Sequence, residues 1–424
     1  MEFCVLTKDE FNTFSQNHDL SNFHQSSYWG DVKRANGWNC EFVGIKENGI
    51  LCGATMLLSK TMVKMFKIYY SPRGFLIDYY DDEKLAYFTK QVVQHIRKNK
   101  GILLKIDPSL DERELDIDGN VVEGGYNHLA IREKLQKLGF KYLVDKNGKA
   151  ETTMIHTIFV LDFDGRSNEE MFSAFSKHTQ RHVKAALKNG IEVEELSYED
   201  LYRFQEMMDR TGNRRGFINR PLAYFQEMYD AFVRKGHMTY RMATLNIAVY
   251  KEQMQKRFDT TMKSYERVLK KKEANPETTK FDGEIKNLQT SLESCEKGLK
   301  EAEQLYQQYG DKVDISCACY FKWGKEVLYY FAGNEEELLK YGGQYMIHWD
   351  MLQEANNEGY KRYNFYGITN NLVKDDPGYG VYLTKRGFSG RVSVLLGELD
   401  YVVNPLMYRL YLLALETYNL IRKK

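Results

Sequence analysis

The sequence predicts an α/β (α+β) chain made of two similar mixed units, the second interrupted by an inserted antiparallel helical coiled-coil arm. Three observations lead there. Residues 245–310 carry two seams of apolar residues at alternating steps of three and four, separated by a helix breaker. The stretches flanking that region repeat an order of strand, helix and strand already met earlier in the chain. At 424 residues, with 43% apolar and 28% charged residues, the chain is globular in composition and too long for one core.

In the first unit, Ile50 to Tyr70 reads as strands, Leu85–Lys98 as a helix and Gly101–Asp107 (GILLKID) as a strand; Leu135–Phe140 ends a second helix in the order LQKLGF. The units are expected to meet near Asp162–Asp164. Glu169–Lys188 then reads as one amphipathic helix stopped at Asn189-Gly190. In the arm, Met254, Phe258, Thr261, Tyr265 and Val268 form one seam. Phe281, Ile285, Leu288, Leu292, Cys295, Leu299, Ala302 and Tyr306 form the other. Ala274-Asn275-Pro276 breaks the helix between them. Two helices joined by a short turn pack antiparallel, and roughly 28 residues each give a reach of about 40 Å.

After the arm, Ile315 to Tyr330 reads as strand, turn and strand, Met346–Asn356 as a helix, Lys361–Tyr366 as a strand, and LTKRGF (Leu383–Phe388) mirrors LQKLGF. The final helix, Leu406 to Ile421, ends in Arg422-Lys423-Lys424. It fits a core helix first and an interfacial anchor second. The expected division is 1–160 for the first unit, 161–244 with 312–400 for the second, 245–311 for the arm and 401–424 for a closing helix.

Lys plus Arg (60) nearly balances Asp plus Glu (59), so any basic footprint must be local. The arm itself holds 12 Lys/Arg against 11 Asp/Glu between Lys251 and Tyr306. The six cysteines lack zinc-site spacing and read as packed thiols of a reducing compartment. Residues 1–10 have neither a basic nor an apolar leader region, and no apolar run is long enough to span a bilayer, so a cytoplasmic protein is expected.

Several side chains could carry chemistry. Lys33, near Trp29 and Trp38, is either a solvated helix lysine or a phosphate-binding cation, and the residues alone favour the first. Arg73, in the turn Ser71-Pro72-Arg73-Gly74-Phe75, could clamp an anion bidentately or merely decorate a surface turn. Asp107 ends a strand, where a carboxylate can face a ligand crevice or cap a turn. Lys177, His178, Arg181, His182, Lys184 and Lys188 form a basic helix face. Thr211, Arg214, Arg215 and Arg220 cluster with Phe217, Tyr224 and Phe225. Both sets suit anionic ligands. Lys385, just before Gly387-Phe388, could stabilise an oxyanion or lie on the surface. Walker A, Rossmann, HExxH and Gly-x-Ser-x-Gly motifs do not occur, nor does the Arg/Gln-x-x-Gly-x-Gly loop of acetyl-CoA enzymes.

Each unit resembles an acyltransferase of the GNAT kind, and the whole chain resembles the FemABX family, most nearly its FemX branch. The pieces that carry the resemblance run nearly end to end: Gln25, Trp29 and Lys33; SPRGF (71–75); LKIDP (104–108); KLGF (137–140); RHVKAALKNG (181–190); TGNRRGF (211–217); the helical arm; YYFAGN (329–334); YNFYGITNN (363–371); and KRGFSG (385–390). Thr384 stands where the family commonly has Phe before its lysine.

The resemblance implies two GNAT-like subdomains and an arm that helps to bind tRNA. It implies transfer of glycine, alanine or serine from aminoacyl-tRNA, as co-substrate, to the stem-peptide side-chain amine of a peptidoglycan precursor. That precursor is lipid II or a UDP-MurNAc-peptide, met from the inner membrane face, and no cofactor or metal is implied. Carried over by position, Lys33 and Arg214 hold the precursor's pyrophosphate, Lys385 supports the charged transition state, and Asp107 and Arg73 line the cleft. Asp107 is also the candidate base. Trp38 beside the first motif, and Ser71 and Thr211 within theirs, complete the substrate-binding candidates. Two alternatives stand beside this reading: an N-acyltransferase using CoA or another donor, and a non-catalytic tRNA-binding protein on the same fold.

Overall fold

The computed structural model describes residues 1–62, 65–144 and 154–422, with side chains to residue 415. Among these residues lie two mixed sheets of the same plan. In the first, the strands run Glu2–Val5, Asn39–Glu47, Ile50–Met62, Phe66–Ser71, Gly101–Ile106, Leu399–Val402 and Phe140–Tyr142, with Leu76–Ile77 paired to the third. In the second they run Ile191–Glu195, Met238–Asn246, Lys312–Trp323, Glu326–Asn334, Arg362–Gly367, Thr157–Asp162 and Arg391–Val394. Each sheet has a single parallel pair at the same place, its fourth strand beside its fifth, and the other neighbours are antiparallel. The repeated unit read from the sequence is therefore present in strand order as well as in motif.

The sixth strand of each sheet is exchanged. Leu399–Val402 follows the second unit in the chain but enters the first sheet, with Leu399 opposite both Ile106 and Tyr142. Thr157–Asp162 follows the first unit but enters the second sheet, between Arg362–Gly367 and Arg391–Val394. The expected boundary at 160/161 thus falls inside a strand of the second sheet, and that at 400/401 inside a strand of the first. A shared core joins the units further. Phe23 stacks on Phe321 at 3.6 Å, and Trp29, Phe42 and Met56 of the first unit pack with Phe204, Phe225, Tyr240, Cys317 and Cys319 of the second. The cysteines are free thiols, the last two fully buried.

The arm consists of helices Ile247–Glu273 and Asp282–Tyr309. The pairs Lys251–Glu303, Tyr265–Gln289 and Lys272–Asp282 show that each step up one helix is matched by an equal step down the other, so the two are antiparallel. Met254, Val268, Leu292, Cys295 and Ala302 are buried as the seams predict. At the root, Leu305 is buried and the expected Tyr306 is half exposed. A helix of 3.6 residues per turn drifts off a strict heptad, and there Leu305 joins the core of the second sheet with Leu245, Ile247 and Ile315.

The segment expected as one helix, Glu169–Lys188, is two: Asn168–Ala174 and Lys177–Lys188. Phe175 is extended, and the Ser176 hydroxyl accepts a hydrogen bond from the Thr179 amide, so a new helix is capped where the sequence periodicity continues unbroken. The last helix, Pro405–Arg422, buries Tyr411 against Phe66, Ile102 and Leu103 of the first sheet, as a core helix should. Lys423 and Lys424 lie outside the described residues. No helix among the described residues is long and apolar enough to cross a membrane.

Candidate active cleft

The parallel pair of the second sheet is bonded for only three residues: Glu326, Val327 and Leu328 face Arg362, Tyr363 and Asn364. Beyond them the pairing stops. Tyr366 adopts a φ of 63°, and its amide donates to the Asn364 side chain instead of to the neighbouring strand. The corresponding pair of the first sheet stays bonded from Lys67/Gly101 to Ser71/Ile106. A cleft of about 560 Å³ therefore opens in the second unit, between Tyr329, Tyr330, Ala332 and Asn334 on one side and Phe365, Tyr366 and Gly367 on the other.

Lys385 enters this cleft from the last turn of helix Tyr379–Arg386 and is 7% exposed. Its ammonium donates to the Gly367 carbonyl at 2.6 Å and lies 5.8 Å from the centre of the Tyr329 ring. No carboxylate pairs with it among the described residues, and burial pushes its pKa down to about 7. Aromatic support thus comes from Tyr329 across the cleft, where the preceding Thr384 offers none. His348 also lines the cleft. Its Nδ1 shares a proton with the Tyr363 hydroxyl at 2.8 Å, and burial, with the charge of Lys385, drives the imidazole down to about 3. No sequence feature had marked His348, which sits among apolar residues of the helix Gly343–Asn357. Tyr329, Tyr330, Phe365 and Tyr366 belong to the motifs YYFAGN and YNFYG and were legible only as aromatic strand residues.

Of the expected site residues, Thr211, Arg214 and Lys385 share the cleft. Thr211 holds its rim: the hydroxyl donates to the Met207 carbonyl and accepts from the Asn334 amide. Arg214 donates to the Asn334 carbonyl at 3.1 Å and meets Glu336 at 3.5 Å, so its charge is already partly answered.

Arg73 and Asp107 do not line the cleft. They are 3% and 2% exposed and form an ion pair at 3.3 Å behind its wall. The Arg73 guanidinium donates to the carbonyl of Ile155, which does line it. The turn that was expected to expose Arg73 is clamped instead. Gln25 donates to the Pro72 carbonyl at 2.6 Å, and Asp107 accepts the Arg73 amide at 2.8 Å. Burial lifts the Asp107 carboxyl to about 6 despite the guanidinium beside it. It stands behind the cleft's lining rather than in it. Ser71 is fully buried, its hydroxyl 2.5 Å from that of Thr55.

Lys33 and Trp38 lie on a neighbouring patch. The Lys33 ammonium sits 4.5 Å over the Trp29 ring, Lys60 lies 5.5 Å over Trp38, and Arg220 lies 5.5 Å over Tyr224. No acid pairs with Lys33, Lys60 or Arg220 among the described residues. Burial, then Arg220 and Lys60, pull the Lys33 pKa down. Three cations with no acid beside them among the described residues, each over an aromatic ring, give this patch the chemistry that could hold a dense anion. Tyr330 joins the patch to the cleft: it lines the cleft and meets Trp29 edge-on at 6.5 Å. Sequence reasoning had Lys33 and Arg220 in separate clusters and missed Lys60, which stands on a strand far from both in the chain.

A sequence model of the FemAB family matches residues 6–415. The aminoacyltransferase FemA of Staphylococcus aureus (strain N315) is 28% identical over 412 residues, covering 97% of each chain. That of Staphylococcus epidermidis is 29% identical over 412 residues, covering 97% of this chain and 98% of its own. Among solved structures, that of FemX superposes with a TM-score of 0.77 at 23% identity, over 97% of this chain and 99% of that one, and so shares the fold.

Proposed function

Because the chain belongs to the FemAB family, we propose that it is an aminoacyltransferase that builds peptidoglycan interpeptide bridges, taking glycine, alanine or serine from aminoacyl-tRNA. The acceptor is the side-chain amine of the stem peptide in lipid II or its nucleotide-linked form. The observation that carries this reading is the buried, acid-free ammonium of Lys385 in the cleft between the splayed strands.

The donor ester is already activated. The acceptor amine attacks the ester carbonyl, a tetrahedral oxyanion forms beside Lys385, and collapse releases the ribose hydroxyl, which takes up the proton the amine gives away. A preorganised cation at the developing charge contributes about 3 kcal/mol. His348 is too weak a base at neutral pH to take the proton, and the neighbouring ribose hydroxyl can relay it. Holding both substrates in register supplies much of the remaining rate. The precursor's pyrophosphate is assigned to Lys33, Lys60 and Arg220, with Trp38 at its edge. Arg214 and Thr211 face the peptide side of the cleft, and Arg73, Asp107 and Ser71 hold the wall behind. A lipid-borne acceptor is reached from the cytoplasmic face, and the exposed Leu406 and Leu410 of the last helix are the candidate contact.

The test is a donor exchange. Purified protein with lipid-linked precursor should extend it by one amino acid when given a pool of charged tRNAs, and leave it unchanged with acyl-CoA, as read by mass spectrometry. Extension by acyl-CoA alone would refute the proposal.

A further inference from the structure

The cleft accounts for the reacting end of the donor and leaves open where the rest of so large a polyanion lies. The helix Lys177–Lys188 carries Lys177, Arg181, Lys184 and Lys188 at steps of four, three and four, which sets all four on one face. All are exposed, the helix contains no acidic residue, and none of the four forms an ion pair among the described residues. The part-buried cations of the same unit differ: Arg203 is held by Glu194 and Asp314, Arg241 by Glu195, Asp350 and Glu354, and Lys322 by Glu354 and Glu358.

The placement of the helix is as informative as its charge. At its start, the Ser176 amide donates to the Gly387 carbonyl at 2.9 Å, two residues beyond Lys385. Tyr345 braces its first half, stacked on His182 at 4.6 Å with its hydroxyl 3.4 Å from His178. At its other end, Lys188 opens into a groove of about 770 Å³ between this helix and the root of the arm. Arg257, Lys297 and Lys256, the last bridged to Glu252 on its own helix, line that groove; its one acidic lining residue, Glu301, is already paired with Lys340. The cations thus run from the catalytic cleft along about 16 Å of helix to the arm root. Single charges in a line, converging on no point, match a chain of regularly spaced phosphates rather than one phosphate group. The arm beyond the root, with its balanced charges, offers no such track.

We propose that this stripe and groove dock the duplex stem of the RNA donor, so that its single-stranded 3′ end falls on Lys385. The inference rests on the donor assignment above and names the surface that assignment needs. Contacts of this kind recognise backbone charge and shape, not sequence.

The experiment compares the full-length protein with a variant carrying Lys177→Gln, Arg181→Gln, Lys184→Gln and Lys188→Gln. A second variant, Lys90→Gln, Lys98→Gln, Lys137→Gln and Lys141→Gln, removes the same charge from exposed sites of the first unit that form no ion pair among the described residues. Binding of a hairpin RNA with a duplex stem and single-stranded 3′ end is measured across a salt series. The stripe variant should bind about tenfold or more weakly, with its salt slope reduced by about one for each cation removed. The first-unit variant should match the wild type. KM for charged tRNA should rise in the stripe variant while KM for the precursor stays put. Single substitutions, each lowering the slope by about one, serve if the quadruple variant melts early. Unchanged RNA affinity in the stripe variant overturns the track, even in an enzyme that uses charged tRNA. Loss of binding to anionic vesicles with RNA binding intact also overturns it, and assigns the face to lipid. An enzyme whose stripe binds RNA but which transfers nothing from charged tRNA leaves the track standing and refutes the donor assignment.

Discussion

The ammonium of Lys385 and the carbonyl oxygen of Gly367 meet at 2.6 Å, and that bond ties the helix Tyr379–Arg386 to the strand that diverges at the cleft. A lysine held by a backbone dipole, with no carboxylate paired to it among the described residues, keeps its remaining N–H groups for substrate. It also carries the full cost of burial, which brings its pKa to about 7.

The pH profile of kcat/KM follows from that value. A lysine whose pKa is lowered from 10.5 to about 7 loses its proton as pH rises through 7, so the cationic enzyme is the low-pH form. The acceptor amine, with an ordinary pKa of about 10.4, must lose its proton to attack, so kcat/KM should climb with pH below about 7 and level off above it, where each gain in free amine is cancelled by loss of cationic Lys385. In Lys385→Arg that levelling should vanish and the climb continue, because a guanidinium does not titrate there. The rate should still fall below wild type, because a wide planar group does not replace a compact ammonium. Steady-state kinetics across pH 5.5 to 9, about the usual working range, reads both effects. A break near pH 7 that persists in the arginine variant would assign it to another group.

Lys33→Ala and Arg220→Ala should each raise KM for the precursor about tenfold with kcat nearly unchanged, because pyrophosphate contacts are made equally in ground and transition states. Arg214→Ala should cost less on the same axis, since Glu336 already shares its charge. Initial rates with the precursor varied at saturating charged tRNA measure the ordering. A larger effect at Arg214 than at Lys33 would move the pyrophosphate into the cleft.

The Arg73–Asp107 pair should report on stability. Asp107→Ala leaves a guanidinium 3% exposed without its partner, which costs about 3–5 kcal/mol in comparable buried pairs. Urea denaturation should show that loss. Should Asp107→Asn keep stability and still abolish turnover, a direct chemical role would have to be restored to this carboxylate.

The exchanged strands make the two units interdependent. A chain ending at Glu398 lacks Leu399–Val402 and leaves the edges of Gly101–Ile106 and Phe140–Tyr142 unpaired. Amide hydrogen exchange should then lose protection across Gly101–Ile106, a strand of the first unit nearly 300 residues away in the chain. Retained protection there would show that the closing strand is dispensable.

Legibility in the sequence tracked the range of the interaction. The arm announced itself because three-four spacing is local and long. The repeat showed in KLGF and KRGF because both end a helix before a strand. Lys385 was found through the second of these. The strand exchange was not legible: a short apolar strand carries the same alternation whichever sheet receives it. The burial of Arg73 depends on Gln25 and Asp107, 48 and 34 residues distant, and a Pro-Arg-Gly turn looks alike on a surface and in a wall. Lys60 joined Lys33 only through the fold, and Arg214 was neutralised by Glu336, a residue that reads as one more surface acid.

The central claim is that aminoacyl transfer takes place at Lys385 in the cleft between the splayed strands. A single-turnover measurement tests it most directly, with charged tRNA and precursor both prebound and amide formation followed by quenched flow. Lys385→Ala should form the amide about a hundredfold more slowly, the loss of about 3 kcal/mol of oxyanion stabilisation, with both substrates still bound. Amide formation at the wild-type rate in Lys385→Ala would contradict the account.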